Sequence, residues 1–425
     1  MNKSNKGGTV LAVVVGVLLM LCAAGAVVYF VATAGKDEPT ETVKKETSGE
    51  QATVAVQETE TETETETETE ETGASEDARQ IVADMTLEEK VLQMFIVRPE
   101  ALTGVEVATA AGDMTKEAIS QYPVGGIIYF ADNIVDPDQI TEMIGNTQSY
   151  SEERISLPMF ICVDEEGGTV ARVADNAAFD VPSFDDMKYI GETGDTAQAY
   201  NVGSTIGGYL SEYGFNFDFA PVADVLTNPD NQVVAERSFG TDPELVSNMA
   251  MAVLEGLNDQ NVIGVLKHYP GHGATQGDTH EGYAYTDKTL DELMESELVP
   301  FINGIEQGVD IIMAAHISVP NITGDNTPTS LSSMMINDVL KGQLGYKGLV
   351  ITDALEMGAI QEAYTSSDAA VMAVSAGVDI LLMPADFQGA YEGVLNAVQD
   401  GTLSEDRINE SVEKIVALKL KRLHA

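Results

Sequence analysis

The chain has 425 residues and a formal net charge of -47. So large an excess of carboxylates excludes nucleic acid as a partner, because that binding relies on Lys and Arg neutralising phosphate. Hydrophobic residues make up 44% of the chain, ample for a core, while two cysteines, Cys22 and Cys162, give no disulfide framework.

Residues 9–34 carry no charge and are dominated by Val, Leu, Ala and Gly. An uncharged run this long can span the ~30 Å hydrocarbon layer, whereas a secretory h-region is usually about 7–15 residues. Lys3 and Lys6 precede it and should stay on the cytoplasmic side. Residues 1–35 are therefore expected to be a single-pass transmembrane anchor in the cytoplasmic membrane, with the remainder outside. Ala32-Thr33-Ala34 also fits a small-residue cleavage site, which would leave a secreted protein instead. Residues 36–75 turn to Glu, Thr, Lys and Ser, with a strict Thr-Glu alternation from Glu58 to Glu71. That pattern offers no apolar face and its like charges repel, so it reads as a disordered, extended spacer reaching at most ~130 Å.

The globular region begins near Glu76. Thr86 followed by Glu89 is the signature of a capped helix start. Eight apolar, strand-like runs follow, near 92–97, 124–130, 159–164, 215–222, 262–267, 310–315, 348–352 and 378–383. Continuous apolar runs suit parallel strands covered on both faces. Helical patterns lie between most of them, at 197–213, 244–259, 290–308 and 366–377, and a last one at 404–423 closes the domain. Eight strands alternating with helices predict an α/β fold, a single (β/α)8 TIM-type barrel over residues 76–425. A doubly wound open sheet is the alternative.

In such a barrel the chemistry sits at the C-terminal ends of the strands. Those ends are polar here. The third run ends in Asp164-Glu165-Glu166-Gly167-Gly168, with Arg172 following; the fourth leads to Asp218, Asp224 and Glu236-Arg237; the sixth and seventh give His316 and Asp353. The fifth gives Lys267 and His268 and breaks into a glycine loop. Residues 267–280 hold three of the chain's five His, with His272 and His280 beside Asp278. A Lys ending a buried strand needs a partner or a ligand. Asp224 reads equally well as a helix cap, His316 as a satisfied core histidine, and His272 as a brace for its loop. No Cys cluster or His-Glu-x-x-His occurs, so neither a metal nor another cofactor is expected.

Assembled, these residues make the chain resemble the family-3 glycoside hydrolases, and most closely their bacterial β-N-acetylglucosaminidases. The resemblance runs from Thr86-Leu87-Glu88-Glu89-Lys90 through Val163-Asp164-Glu165-Glu166-Gly167-Gly168, Glu236-Arg237-Ser238-Phe239-Gly240 and the 267–280 run to Thr352-Asp353-Ala354-Leu355-Glu356-Met357. It implies Asp353 as nucleophile, with Asp278 and His280 as the Asp-x-His pair that replaces a carboxylic acid/base. It further implies Asp164, Arg172, Arg237, Lys267 and His268 as sugar-holding side chains. Glu165 stands where the family usually has Gln and is expected to add negative charge near the sugar; Ala354 and Thr279 are the other departures. With no Trp in the chain, Met357 and Phe239 are candidates for apolar contact with the ring.

The implied activity is a retaining exo-glycosidase, acting as a monomer on terminal β-linked N-acetylglucosamine, with peptidoglycan fragments as the expected source. A β-glucosidase or β-xylosidase and a catalytically silent sugar-binding surface protein are the competing readings. A neutral imidazole base would also tolerate incoming phosphate, which makes phosphorolysis a reaction to test.

Overall fold

A computed structural model describes residues 76–280 and 282–423. The expected membrane anchor and acidic spacer, residues 1–75, lie outside them. Among the described residues no helix is long and apolar enough to cross a membrane.

The eight apolar runs form eight strands. They are β1 (Phe95–Val97), β2 (Gly126–Ile128), β3 (Phe160–Val163), β4 (Phe217–Asp218), β5 in two pieces (Ile263–Gly264 and Leu266–Tyr269), β6 (Ile311–Ala314), β7 (Leu349–Thr352) and β8 (Leu381–Leu382). Neighbours pair in parallel from β1 through β4 to the first piece of β5, and from its second piece to β6 and β7. A single bridge, Ile351↔Ile380, joins β7 to the start of β8, and β8 returns to β1 through Phe95↔Leu381 and Ile96↔Leu382. The parallel sheet therefore curls until its last strand meets its first, which excludes the open-sheet alternative. Every residue of β1, β2, β3, β6 and β7 is buried, as expected for strands covered by helices outside and packed side chains inside. Full burial of each Ile, Leu, Val or Phe stabilises the barrel by roughly 1.5–3 kcal/mol.

Local chemistry sets the helix boundaries. The Thr86 hydroxyl accepts from the Glu89 amide while the Glu89 carboxylate accepts from the Thr86 amide, so the helix Leu87–Gln93 starts with the predicted reciprocal cap. The Asp242 and Asp386 side chains accept from first-turn amides of Pro243–Asp259 and Phe387–Gln399, without the reciprocal bond. The single helix expected over 290–308 is corrected to two, Leu290–Met294 and Val299–Glu306. Pro300 explains the break: it has no amide hydrogen and its ring is tolerated only in a first turn, which is where it sits. The last helix, Glu405–Leu423, lies beneath the N-terminal ends of the strands and carries Lys419 to Gln93, just before β1.

Candidate active site

At the opposite end, the segments that follow the strands enclose a pocket of about 280 Å³. Its wall includes Asp164 after β3, Lys267 and His268 at the end of β5, and Asp353 after β7. Arg172, Arg237 and His280 reach it from longer loops. Seven of the eight residues singled out from sequence thus meet at one cavity. The eighth, Asp278, lines the neighbouring polar groove with Asn228, Asp230 and Gln276 and enters the site through its contact with His280.

One side of the pocket is a network of charges around Glu166. Arg237 donates to both oxygens of this carboxylate, at 2.6 and 2.8 Å, and Lys267 Nζ stands 2.6 Å from Oε1. Lys267 also donates to Asp164 at 2.9 Å, leaving Asp164 partly open to the cavity. Burial alone would push the Glu166 carboxyl upward, but Arg237 and Lys267 outweigh it and hold the group far below the usual carboxylate range. Burial likewise opposes a charge on Lys267, yet Asp164 and Glu166 keep its ammonium above the ordinary lysine value. Arg172 completes this wall, with its guanidinium 5.8 Å from the centre of the Phe130 ring; Arg98 stands 4.8 Å from the same ring.

Asp224 is not a helix cap. It accepts from the backbone amides of His268 and His272, at 3.2 and 2.6 Å, and its Oδ2 lies 2.7 Å from His268 Nδ1. The carboxylate thereby fixes both the His268 ring and the start of the β5 loop. His272 is buried and, as expected, braces the loop through Thr275 and Thr279. Burial lowers its pKa to about 4 against the pull of Asp224, so the ring is neutral near pH 7.

Asp353 follows directly on β7, and its amide donates to the Ala314 carbonyl on β6. Burial would raise its pKa; His268, His316, the Ala354 amide and Lys267 together pull it below the ordinary aspartate value. The result is an ionised carboxylate on a rigid strand end. His316, beside it, is itself fixed by Ser330 and the Ala354 carbonyl, at 2.7 and 2.9 Å.

On the loop after β5, the Asp278 Oδ1 accepts from the backbone amide of His280 at 2.9 Å and lies 2.8 Å from its Nδ1. That pairing leaves Nε2 of a half-exposed ring free for other work. The loop that carries the pair is tied down on both sides. Asn228 and Asn231 side chains donate to the Thr275 and His272 carbonyls, and the Gly358 and Ala359 amides donate to the His280 and Thr279 carbonyls. Two glycines allow this path. A Cβ on Gly273 would lie 2.0 Å from the Val225 carbonyl oxygen, and Gly277 has φ +88°, which L side chains rarely adopt.

A buried carboxylate and an oriented imidazole on one cavity can attack a carbon and manage a proton on its leaving group. The family model for the glycosyl hydrolase family 3 N terminal domain matches residues 86–418. This chain belongs to glycosyl hydrolase family 3. Among similar family members, Beta-hexosaminidase A of Pseudoalteromonas piscicida is 35% identical over 330 residues, 72% of this chain and 54% of that protein. Beta-hexosaminidase LpqI of Mycobacterium tuberculosis is 32% identical over 347 residues, 80% of this chain and 84% of its own length. The solved structure of a glycoside hydrolase family 3 β-N-acetylglucosaminidase from Paenibacillus superposes with a TM-score of 0.74 at 36% identity, covering 80% of this chain and 63% of that one. The chain thus spans about half the length of the first relative and somewhat under two thirds of the structural neighbour.

The family-3 site corrects two expectations. Glu165 adds no charge to the cavity, because its side chain turns away and accepts from the amides of Arg172, Val173 and Ala174 and from the Tyr209 hydroxyl. It shapes the turn that delivers Arg172. Phe239 is buried and outside the wall, whereas Met357 lines it together with Phe130 and Phe219, which were not singled out. Sequence reasoning also missed Glu166. The signal was available: Lys267 demanded a buried anion, and residue 166 lies two positions along from Asp164 on an extended segment, hence on the same side.

Proposed function

We propose that this chain is a retaining exo-β-N-acetylglucosaminidase that removes terminal non-reducing β-linked N-acetylglucosamine by double displacement. One observation carries the reading: the ionised Asp353 and the His280–Asp278 pair serve a single pocket lined by anchored Lys and Arg side chains. Asp353 attacks the anomeric carbon while the glycosidic bond breaks, and the His280 imidazolium gives its Nε2 proton to the departing oxygen. Asp278 stabilises the cationic ring, as the acid of a Ser-His-Asp triad does. In the second step the now neutral His280 takes a proton from water as that water attacks the anomeric carbon, and Asp353 leaves. Asp164, Arg172, Arg237, Lys267 and His268 hold the sugar hydroxyl and acetamido groups. The N-acetylglucosaminide preference rests on the hexosaminidase relatives and on a barrel that carries an Asp-x-His loop.

The sequence of residues 1–75 supports an anchored arrangement in which the barrel works outside the cytoplasmic membrane at the end of an acidic spacer, with peptidoglycan fragments as the natural source. Activity is tested by comparing nitrophenyl N-acetylglucosaminide with nitrophenyl glucoside. The N-acetyl substrate should turn over far faster, and Asp353→Asn should abolish that turnover. A preference for the glucoside would favour the β-glucosidase reading, and intact sugar binding without any turnover the silent one.

A further inference from the structure

On the far side of the Asp278–His280 loop lies a second cavity, of about 370 Å³. The loop itself is the partition: Thr279 and His280 line the first pocket, and Tyr283, three residues on, lines the second. The partition is held by the hydrogen bonds of residues 279 and 280 to Gly358 and Ala359, and Ala359 is also part of the second wall. Both cavities are thus lined by the chain segment that carries His280.

The second cavity has an exposed aromatic wall. Tyr283 is 49% exposed, unusual for so large an aromatic, and stacks at 16° on Tyr285 with centroids 5.3 Å apart. Its hydroxyl donates to Asn326 at 3.0 Å, which fixes the plane of the platform, and Tyr364 contributes a further aromatic wall. The same cavity has a definite charge. Glu362 and Asp325 line it; a Cβ on Gly282, two residues past His280, would lie 3.3 Å from Glu362 Oε2. Among the described residues neither carboxylate has an ion-pair partner, and the Asp325 carboxylate accepts from the Thr327 amide.

We propose that this cavity is the leaving-group site of the reaction set out above, and that it selects a leaving group that carries an ammonium. The aromatic platform takes the apolar face of the second ring or its substituent, and the two carboxylates take the cation. The ammonium can sit on the second sugar, as a free 2-amino group, or on a peptide attached to it; both present the same chemistry to Glu362 and Asp325. The inference rests on the hydrolase reading, but its test separates the two.

The experiment measures kcat/KM of the full chain on matched pairs. One pair is N-acetylglucosaminyl-β-1,4-glucosamine against its N-acetylated counterpart. The other is a glycosyl-muramyl peptide with a free amine against the same peptide acetylated at that amine. At low salt the amine-bearing member of at least one pair should be preferred by roughly three- to tenfold, the range expected for one or two exposed ion pairs. Which pair discriminates identifies the source of the amine. The preference should fade at ~1 M salt, where exposed charges are screened. It should also disappear in Asp325→Asn/Glu362→Gln, through a fall in kcat/KM for the amine-bearing member of the pair alone. Equal rates within both pairs, or a preference that survives in the double variant, would overturn the inference while leaving the hydrolase reading intact. Inactivity on every N-acetylglucosaminide, the nitrophenyl one included, would overturn both.

Discussion

Glu166 is the residue on which the charged half of the pocket depends. It is buried, and it is the only carboxylate among the described residues that touches both Arg237 and Lys267. Removing one partner of a buried ion pair leaves the other uncompensated, at a cost of about 3–5 kcal/mol. Glu166→Gln should therefore lower the melting temperature and raise KM for nitrophenyl N-acetylglucosaminide together, as thermal denaturation and steady-state kinetics would record. A variant with wild-type KM would mean that the network does not position Arg237 and Lys267 for the substrate. Asp353 makes a prediction in pH. Its folded pKa lies below the ordinary aspartate value, so the carboxylate remains charged as pH falls through ~4 and protonates only beneath that. The acid limb of kcat/KM should accordingly lie below pH ~4. The stability Asp353 contributes is present above the unfolded value and lost as pH falls through the folded one. An acid limb at pH 5 or higher would contradict this electrostatic account of Asp353.

Elements were legible in proportion to how local their cause is. The Thr86 cap could be read directly, because its two hydrogen bonds join residues three apart in the chain. Thr86→Ala should cost about 1 kcal/mol, seen as a small fall in denaturant midpoint without loss of activity. The eight strands were equally plain, since an apolar run has nowhere to go in a folded chain but the barrel wall. The break in 290–308 was also written in the sequence, as Pro300, but the apolar spacing on either side of it hid the signal. The β5 loop is a different case. Its histidines and glycines marked it as chemically active, yet its course is set by Asn228, Asn231 and Asp224 from the preceding strand's loop, some 40 to 50 residues away. Nothing in the 267–280 run itself names those partners. Asn231→Ala removes the amide group that ties the His272 carbonyl and the Thr275 hydroxyl to the preceding strand's loop. It should lower kcat on the nitrophenyl substrate several-fold, and an unchanged kcat would show that the dyad does not need this tether.

At the scale of the molecule, the barrel has a polar, functional end and a structural one, and the structural end holds an anomaly. Lys419 is fully buried, reaches only Gln93 among polar side chains, at 2.8 Å, and lies 5.0 Å from the centre of the Phe160 ring. Burial brings its pKa down to about 7. Between pH ~7 and the ordinary lysine value near ~10.4 the unfolded chain binds the extra proton, so stability from this group rises with pH across that window. Below pH ~7 the folded protein bears the full cost of the buried charge. Lys419→Met should raise the melting temperature more at pH 6 than at pH 9. An equal change at both would show that the ammonium is better solvated than its surroundings indicate. The sequence alone gave no hint of this group, since a Lys in a charged final helix ordinarily faces water.

In the proposed mechanism Asp353 forms a bond to the sugar that His280 then helps to break. His280→Ala supplied with nitrophenyl N-acetylglucosaminide should still form the glycosyl-enzyme, because that leaving group needs no proton, but should hydrolyse it slowly. Acid quenching, proteolysis and mass mapping of that variant should then find one N-acetylglucosaminyl adduct, on the peptide containing Asp353. An adduct on another residue, or continued rapid turnover with no adduct, would contradict the account.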